Sequence, residues 1–226
     1  AGLDPHLAVG AQLLGISYAE AAERKGDPDI KKARQTAKAL NFGAPGGLGA
    51  ATFQAFAAGY GVDIDEDGAR DLLELWKETY PEMALYFTWI GEQTQRGRFT
   101  YYHPITGFIR GDVGFCDGCN MGFQHLVAQG AKAALYEVQR ECWVSTGALA
   151  GCRPVAFIHD EIIMEAPEAI ASEAAARLSD VMVRELSKLI PDVPIQADAA
   201  MMRRWYKGAE PLHDEQGRLI PWEPKR

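Results

Sequence analysis

Pro154-Val155-Ala156-Phe157-Ile158-His159-Asp160-Glu161-Ile162-Ile163-Met164-Glu165 is the stretch that sets the fold class of this 226-residue chain. Two apolar runs flank the polar residues His159, Asp160 and Glu161, the pattern of two short strands joined by a tight turn. Upstream, 120–143 reads as one long helix. Downstream, 168–189 reads as an Ala-rich amphipathic helix closed by Pro191. Pro194 to Ala200 reads as one more strand. The last segment, interrupted by Pro and Trp between Pro211 and Pro224, reads as an irregular tail.

The amino-terminal half is helical. Asp4-Pro5 places a carboxylate N-cap before Pro at the first helical position, and this helix stops at Gly15. Ser17-Tyr18-Ala19-Glu20 is a capping box for a second, short helix that ends at Lys25-Gly26. Asp27-Pro28 repeats the first device and starts a helix through Lys31, Arg34, Lys38 and Phe42, which Pro45-Gly46-Gly47 must end or kink. Further helices fit 50–59, 66–79 and 81–95. Between 96 and 118, Gly97, Pro104, Gly107 and Gly111 suit turns and short strands. No internal repeat or low-complexity linker interrupts this order. The expected class is α+β, helix-rich with a small antiparallel sheet.

With 47% hydrophobic and 24% charged residues, the composition excludes collagen-like, disordered and disulfide-scaffold chains. No run approaches the roughly 20 apolar residues of a membrane helix. The first 15 residues carry no basic n-region and begin with Ala1 rather than Met, so the sequence reads as processed or as part of something longer. A net charge of -8 argues mildly against a DNA-wrapping protein, so a nucleic-acid function has to rest on local patches. One such patch is Arg24 to Lys38, with six basic residues against two acidic ones. Cys116-Asp117-Gly118-Cys119 has the spacing of half a zinc site, but Cys142 and Cys152 form no second such pair, and free thiols in a reducing compartment are the simpler reading.

Three constellations carry chemistry. Arg34, Lys38 and Phe42 recur at every fourth position and share one helix face. A guanidinium, an ammonium and a ring in that order match the phosphates and base of a nucleotide. The same spacing also fits a solvated basic face running into a core Phe. His159, Asp160 and Glu161 place adjacent carboxylates at a scaffolded turn. Oxygen ligands there suit Mg²⁺, which also holds substrate phosphates, while Asp is common in plain hairpin turns. Asn120 and Gln124, four apart on a helix, present two amides to minor-groove acceptors or to their own backbone. Arg96, Arg98 and Arg110 add a weaker phosphate signal.

Arg34-Gln35-Thr36-Ala37-Lys38-Ala39-Leu40-Asn41-Phe42-Gly43 resembles the fingers-helix signature of family A DNA polymerases, those similar to bacterial DNA polymerase I. Ile158-His159-Asp160-Glu161, with its apolar strand and Ala166-Pro167, resembles that family's palm motif. Asn120-x-x-x-Gln124 sits in the right order between them, and Asp4-Pro5-His6 resembles the segment ahead of the fingers. The resemblance extends to about Gly208 and implies a right-hand polymerase, incomplete at the amino terminus. Residues 1–118 would be mostly fingers with a turn-rich end, 119–208 the carboxyl-terminal palm portion, and 209–226 an irregular tail.

The resemblance also implies roles. Arg34 and Lys38 bind the incoming dNTP, with Lys38 a proton donor to pyrophosphate, and Phe42 packs on the nucleotide. Asp160 is one of two carboxylates that hold two Mg²⁺ ions, with Glu161 assisting. His159 meets the primer end, Arg110 a DNA phosphate, and Asn120 and Gln124 the minor groove of the primer-template. Two departures stand out. Gly46 replaces the family's Tyr four residues after the fingers Phe. No Asp-Tyr-Ser-like segment precedes Asp4, so the second metal-binding Asp is expected from an amino-terminal portion on a separate chain or missing segment. The expected setting is cytoplasmic, in a bacterium or a phage's host, without a membrane. The rival readings are a non-catalytic nucleotide- or DNA-binding remnant and an unrelated Mg²⁺-dependent phosphohydrolase.

Overall fold

The computed structural model describes residues 2–144 and 146–224. The chain divides into two compact units, Ala1–Tyr102 with Ile109–Gly122, and His103–Phe108 with Phe123–Arg226.

The first unit is built from α1 (Pro5–Leu13), α2 (Tyr18–Glu23), α3 (Pro28–Gly43), α4 (Ala50–Ala58), α5 (Glu66–Thr79) and α6 (Pro81–Thr94). An antiparallel hairpin follows, β1 (Phe99–Tyr102) and β2 (Ile109–Val113). Side-chain caps start three of the helices. The Asp4 carboxylate accepts from the backbone N–H groups of His6 and Leu7, both at 3.1 Å. Ser17 Oγ accepts from Glu20 N–H at 3.2 Å, and Asp65 Oδ1 from Gly68 N–H at 2.8 Å. Asp27 precedes Pro28 as expected but caps nothing with its side chain; its carboxylate takes the Arg24 guanidinium at 3.0 Å instead. Helix α3 ends in a 3₁₀ turn, Ala44–Gly46, closed by Gly47 at a φ of 69°. There Pro45 removes a backbone donor and only a glycine adopts the left-handed backbone without cost.

Two apolar clusters hold this unit. Val9, Ala37, Leu40, Phe53, Ala57, Ala69, Leu73 and Trp76 form the larger, and Leu7, Ala11, Ala21 and Ile30 the smaller. Helices α1 and α3 cross so closely at Gly10 that a Cβ there would lie 3.1 Å from the Arg34 backbone nitrogen. That approach brings the capped end of α1 alongside the basic face of α3.

The division between units falls within α7 (Phe115–Cys142). The second unit continues with β3 (Arg153–Ile158), β4 (Glu161–Glu165), α8 (Ala171–Ser187) and the short strands β5 (Met201–Met202), β6 (Leu212–His213) and β7 (Leu219–Trp222). β3 and β4 pair antiparallel. Their inner face packs with α7 and α8 around Ala134, Val138, Cys142, Leu149, Cys152, Ile162, Ala174 and Val181. Among the described residues the class is α+β, as the sequence pattern indicates. No helix of these residues is long and apolar enough to cross a membrane.

The structure corrects several boundaries. Helix α7 starts at Phe115, not near 120. Gly118 within its first turns is closely packed, since a Cβ there would lie 3.0 Å from Ile90 and 3.3 Å from Phe99. Residues 194–200 form no strand, since no ladder pairs them, and pairing begins only at Met201. The stretch from 209 to 224 is not wholly irregular, because β7 pairs with β6 through Leu219–Ile220 and with β5 through Pro221–Trp222. Each half of β7 is thus an edge, which is why Pro221 is tolerated in the middle strand.

Candidate functional site

Arg34, Lys38 and Phe42 do share a face of α3, and the neighbours of that face come from far along the chain. Arg34 Nε donates to Asp4 Oδ2 at 3.0 Å, while its two terminal nitrogens bond nothing among the described residues. Lys25 approaches the same carboxylate oxygen at 3.4 Å. Burial would raise the Asp4 carboxyl, but the Leu7 N–H, the Arg34 guanidinium and Lys25 outweigh it and hold the group at about 2. Asp4 therefore steers the fork of Arg34 with a permanent charge. The Lys38 ammonium has no ion-pair or hydrogen-bond partner among the described residues. The Phe42 ring is 54% exposed, which removes the reading of it as a core residue. It neighbours the ring of His6, with centroids 5.3 Å apart, and that of Tyr60, with centroids 6.2 Å apart and planes 27° from parallel. The face thus presents two cationic groups and then a small aromatic shelf.

Asn41 fixes the height of this shelf. Its Oδ1 accepts the Trp76 indole N–H at 3.0 Å, and its Nδ2 faces Pro5 O at 3.2 Å and His6 Nδ1 at 3.1 Å. The indole only donates and the carbonyl only accepts, so the amide orientation is forced. His6 Nδ1 must then accept, which leaves the imidazole proton on Nε2. Burial, with the Arg34 and Lys38 charges against the opposing pull of Asp4, lowers the His6 pKa. His6 and Tyr60 were not foreseen from the sequence. The Asp-Pro-His stretch held a signal for His6, but for Tyr60 no local pattern exists.

The start of α7 carries Asn120. The Tyr86 hydroxyl of α6 lies 3.0 Å from Gly118 O and 3.1 Å from Cys119 O and fastens this first turn. Asn120 Nδ2 bonds back to Cys116 O at 2.9 Å, the backbone alternative open to it, and its Oδ1 stays available. A Cβ on Gly46 would lie 3.1 Å from that same amide nitrogen. The glycine at the departure from the family pattern is therefore packed against Asn120. Arg110 on β2 reaches Asp117 at 3.6 Å, and Arg98 reaches Asp117 at 3.4 Å and Asp112 at 2.6 Å. One acidic side chain brings these two arginines together, whereas Arg96 makes no ion pair among the described residues. Gln124 is exposed one turn beyond Asn120 on the same helix.

In the second unit the β3–β4 turn is shorter than the sequence pattern suggests. Glu161 is already the first residue of β4, opposite Ile158, so His159 and Asp160 alone make the turn. His159 takes a φ of 57°, the left-handed region that His enters more readily than most residues. His159 and Asp160 are exposed, and Asp160 has no hydrogen-bond or ion-pair partner among the described residues. Glu161 differs sharply from its neighbour. Its carboxylate pairs with the Lys207 ammonium and accepts from the Trp205 indole at 3.4 Å. The Lys207 bond, ahead of a slight burial effect in the other direction, lowers the Glu161 pKa. A cleft of about 2100 Å³ between β4, α8 and residues 195–221 opens beside these groups.

Among the described residues no cluster of three His, Cys, Asp or Glu side chains is arranged to hold a metal ion. A free, exposed carboxylate at a tight turn nonetheless fits a hard cation such as Mg²⁺, which needs only one or two carboxylates beside substrate oxygens and water. Glu161 is engaged elsewhere.

Comparisons with known proteins agree with the motifs. The chain is 25% identical over 209 residues to DNA polymerase I of Aquifex aeolicus (strain VF5), covering 91% of this chain and 34% of that protein. It is 24% identical over 217 residues to the thermostable DNA polymerase I of Thermus filiformis, covering 92% of this chain and 24% of the relative. It is 28% identical over 184 residues to the mitochondrial DNA polymerase I B of Oryza sativa subsp. japonica, covering 76% of this chain and 17% of the relative. No family model matches. The chain spans about a third of the length of the first relative and a quarter or less of the other two. Carried by the same motifs and by three relatives of one kind, this chain is a relative of DNA polymerase I, of the family A polymerases.

Proposed function

We propose that the chain is the carboxyl-terminal part of a family A DNA polymerase and takes part in template-directed transfer of nucleotides from dNTPs to a primer 3′-hydroxyl. The observation that carries this reading is the α3 face: a guanidinium held by Asp4, an unpaired ammonium one turn on, then an exposed ring beside His6 and Tyr60. That order suits a triphosphate followed by sugar and base. In this reading residues 1–118 are mostly fingers and 119–208 a palm portion.

Arg34 and Lys38 grip the phosphates, the first as a planar fork and the second as a point charge. In this reading Lys38 also gives a proton to the departing pyrophosphate. Phe42 orients the nucleotide, and the aromatic shelf excludes water from one side of it. Gln124, and Asn120 through the second hydrogen of the Nδ2 group that bonds Cys116 O, donate to minor-groove acceptors, which correctly formed pairs share. Arg110 meets a DNA phosphate and His159 the primer end. Asp160 holds cation, with Glu161 beside it. Two Mg²⁺ ions, with Asp160 among the residues that would hold them, would supply positive charge to the displacement. A single carboxylate does not build a two-ion site by itself, so in this reading an amino-terminal portion contributes the other metal-binding Asp. A cytoplasmic setting, in a bacterium or a phage's host, belongs to the same reading.

Primer extension tests it. The purified chain with Mg²⁺, dNTPs and primer-template is expected to extend nothing alone, and to extend the primer once the amino-terminal portion of a related polymerase carrying that Asp is added. Robust extension by the chain alone would overturn the division of ligands, and no extension by the pair would favour the non-catalytic reading.

A further inference from the structure

We propose that Cys116 and Cys119, at the start of α7, are a dithiol–disulfide redox pair: Cys116 captures a low-molecular-weight disulfide and Cys119 closes onto it. Neither thiol has a part in the nucleotide transfer proposed above. The two are neighbours on one helix, one exposed and one buried. Their spacing sets the Cα atoms about 5 Å apart, inside the roughly 4.4–6.8 Å range of disulfides. Both sulfurs lie against the same residue. Cys116 Sγ donates to Gly47 O at 3.6 Å, and Cys119 Sγ is 2.8 Å from where a Cβ on Gly47 would stand. They also act on each other: burial, then the charge of Cys116, pushes the Cys119 thiol up to about 12.

These surroundings divide the steps. The oxidant reaches Cys116, whose thiolate attacks one sulfur of the incoming disulfide; that S–S bond breaks, a mixed disulfide forms and one small thiol leaves. Cys119, protonated at rest and shielded, then gives its proton to water and attacks Cys116 Sγ. The mixed S–S bond breaks, the Cys116–Cys119 bond forms and the second small thiol leaves. The protein thiols lose two electrons, the small disulfide gains them, and the two protons end on the two thiols released. In the mixed disulfide Cys116 carries no charge, so one cause that holds the Cys119 proton lapses before the closing step. Closing brings the Cβ atoms from about 5–6 Å to about 4 Å. Cys116 supplies that movement, because it is the second residue of α7, where backbone N–H groups have no intrahelical partner. The bond consumes the S–H that donates to Gly47 O in the corner that ends α3, and it acts on the turn whose Cys116 carbonyl holds the Asn120 amide at 2.9 Å. Cys142 and Cys152 are both buried and out of an oxidant's reach.

The test is oxidation of the purified full chain with excess glutathione disulfide at neutral pH, quenched with acid and read by intact mass and peptide mapping. The wild type is expected to lose two hydrogens, to retain no glutathione, to carry a Cys116–Cys119 bond and to recover its thiols in dithiothreitol. Cys142 and Cys152 are expected to alkylate only after unfolding. In the reduced native chain, iodoacetamide is expected to modify Cys116 at least about tenfold faster than Cys119. Cys119→Ser should instead hold one glutathione on Cys116, and Cys116→Ser should take up none and form no bond. Cys119 is buried, so Cys119→Ala is the second variant with the same expected outcome, and circular dichroism confirms that each variant is folded. A wild type that keeps glutathione on Cys116 as Cys119→Ser does, a chain that stays fully reduced, or a bond that joins Cys142 to Cys152 and leaves Cys116 and Cys119 as thiols would each overturn the proposal.

Discussion

Replacing Asp4 by Ala removes the α1 cap and the tether of Arg34 in one step, and the structure sets the size of the loss. The carboxyl is held at about 2 against an ordinary value of 3.8, with its side chain only 19% exposed. Each unit of such a shift corresponds to about 1.4 kcal/mol, so charged Asp4 stabilises its unit by about 2 kcal/mol at neutral pH. The N-cap bond, worth about 1 kcal/mol in other proteins, is contained in that figure. A depressed carboxyl contributes fully above its unfolded value and progressively less as pH falls through the folded one. Urea unfolding followed by helix content checks this. At pH 7, Asp4→Ala should lower the midpoint by about 1 M, for a slope near 2 kcal/mol per M. Near pH 2 the gap to wild type should shrink to a few tenths of a kcal/mol. Asp4→Asn, which keeps an acceptor without the charge, should fall between the two at pH 7. A gap that stays constant from pH 7 to pH 2, or an Asn variant as stable as wild type, would refute the electrostatic account.

Four further outcomes follow from the same geometry. In the reconstituted enzyme, Asp160→Ala should abolish nucleotide transfer and spare DNA binding, and residual activity above roughly a hundredth of wild type would exclude a metal-holding role. Lys38→Ala should weaken dNTP use by about tenfold or more and primer-template binding much less, read from KM for dNTP against a DNA Kd, because the unpaired ammonium contributes charge-assisted bonds to phosphate. Phe42→Tyr should raise dideoxynucleotide use relative to deoxynucleotide use by roughly tenfold and leave the melting temperature unchanged, since the ring is already half exposed; an unchanged ratio would remove the nucleotide pose. Gly47→Ala should destabilise by more than about 1 kcal/mol in thermal melts, because φ is 69° and a Cβ would lie 2.8 Å from Cys119 Sγ and Phe115 Cε1.

Local patterns were most readable where one residue does one local job. Asp4, Ser17 and Asp65 each cap their own helix, the last without having been singled out, and α5 begins and ends where the periodicity places it. The row Arg34, Lys38, Phe42 could be read from helix geometry alone. The partners that give the row its chemistry could not. Asp4 is 30 positions from Arg34 in sequence, and Lys207 is 46 from Glu161. Such pairs are set by tertiary packing, which leaves no periodic trace. The turn-rich reading of 96–118, built on Gly97, Pro104, Gly107 and Gly111, ran past the start of α7 at Phe115, because Gly118 sits inside the helix in close packing with Ile90 and Phe99. The strands after residue 200 were missed because β5 and β6 are two residues long, too short for alternation to register, and Pro221 argues locally against β7.

The Asn41 amide has a mechanical consequence. With bonds to the backbone of α1 at Pro5, to His6, and to Trp76 of α5, it has both amide N–H groups committed and ties three helices at one point. Helices α1, α3 and α5 are consequently pinned as a rigid plate, and a rotation of one carries the other two. Because α5 follows the Ala44–Gly47 corner in the chain, that corner is enclosed between two tied helices and cannot serve as a hinge for the basic row. The cationic end and the aromatic end of the row lie on one helix, so their spacing is set by α3 itself.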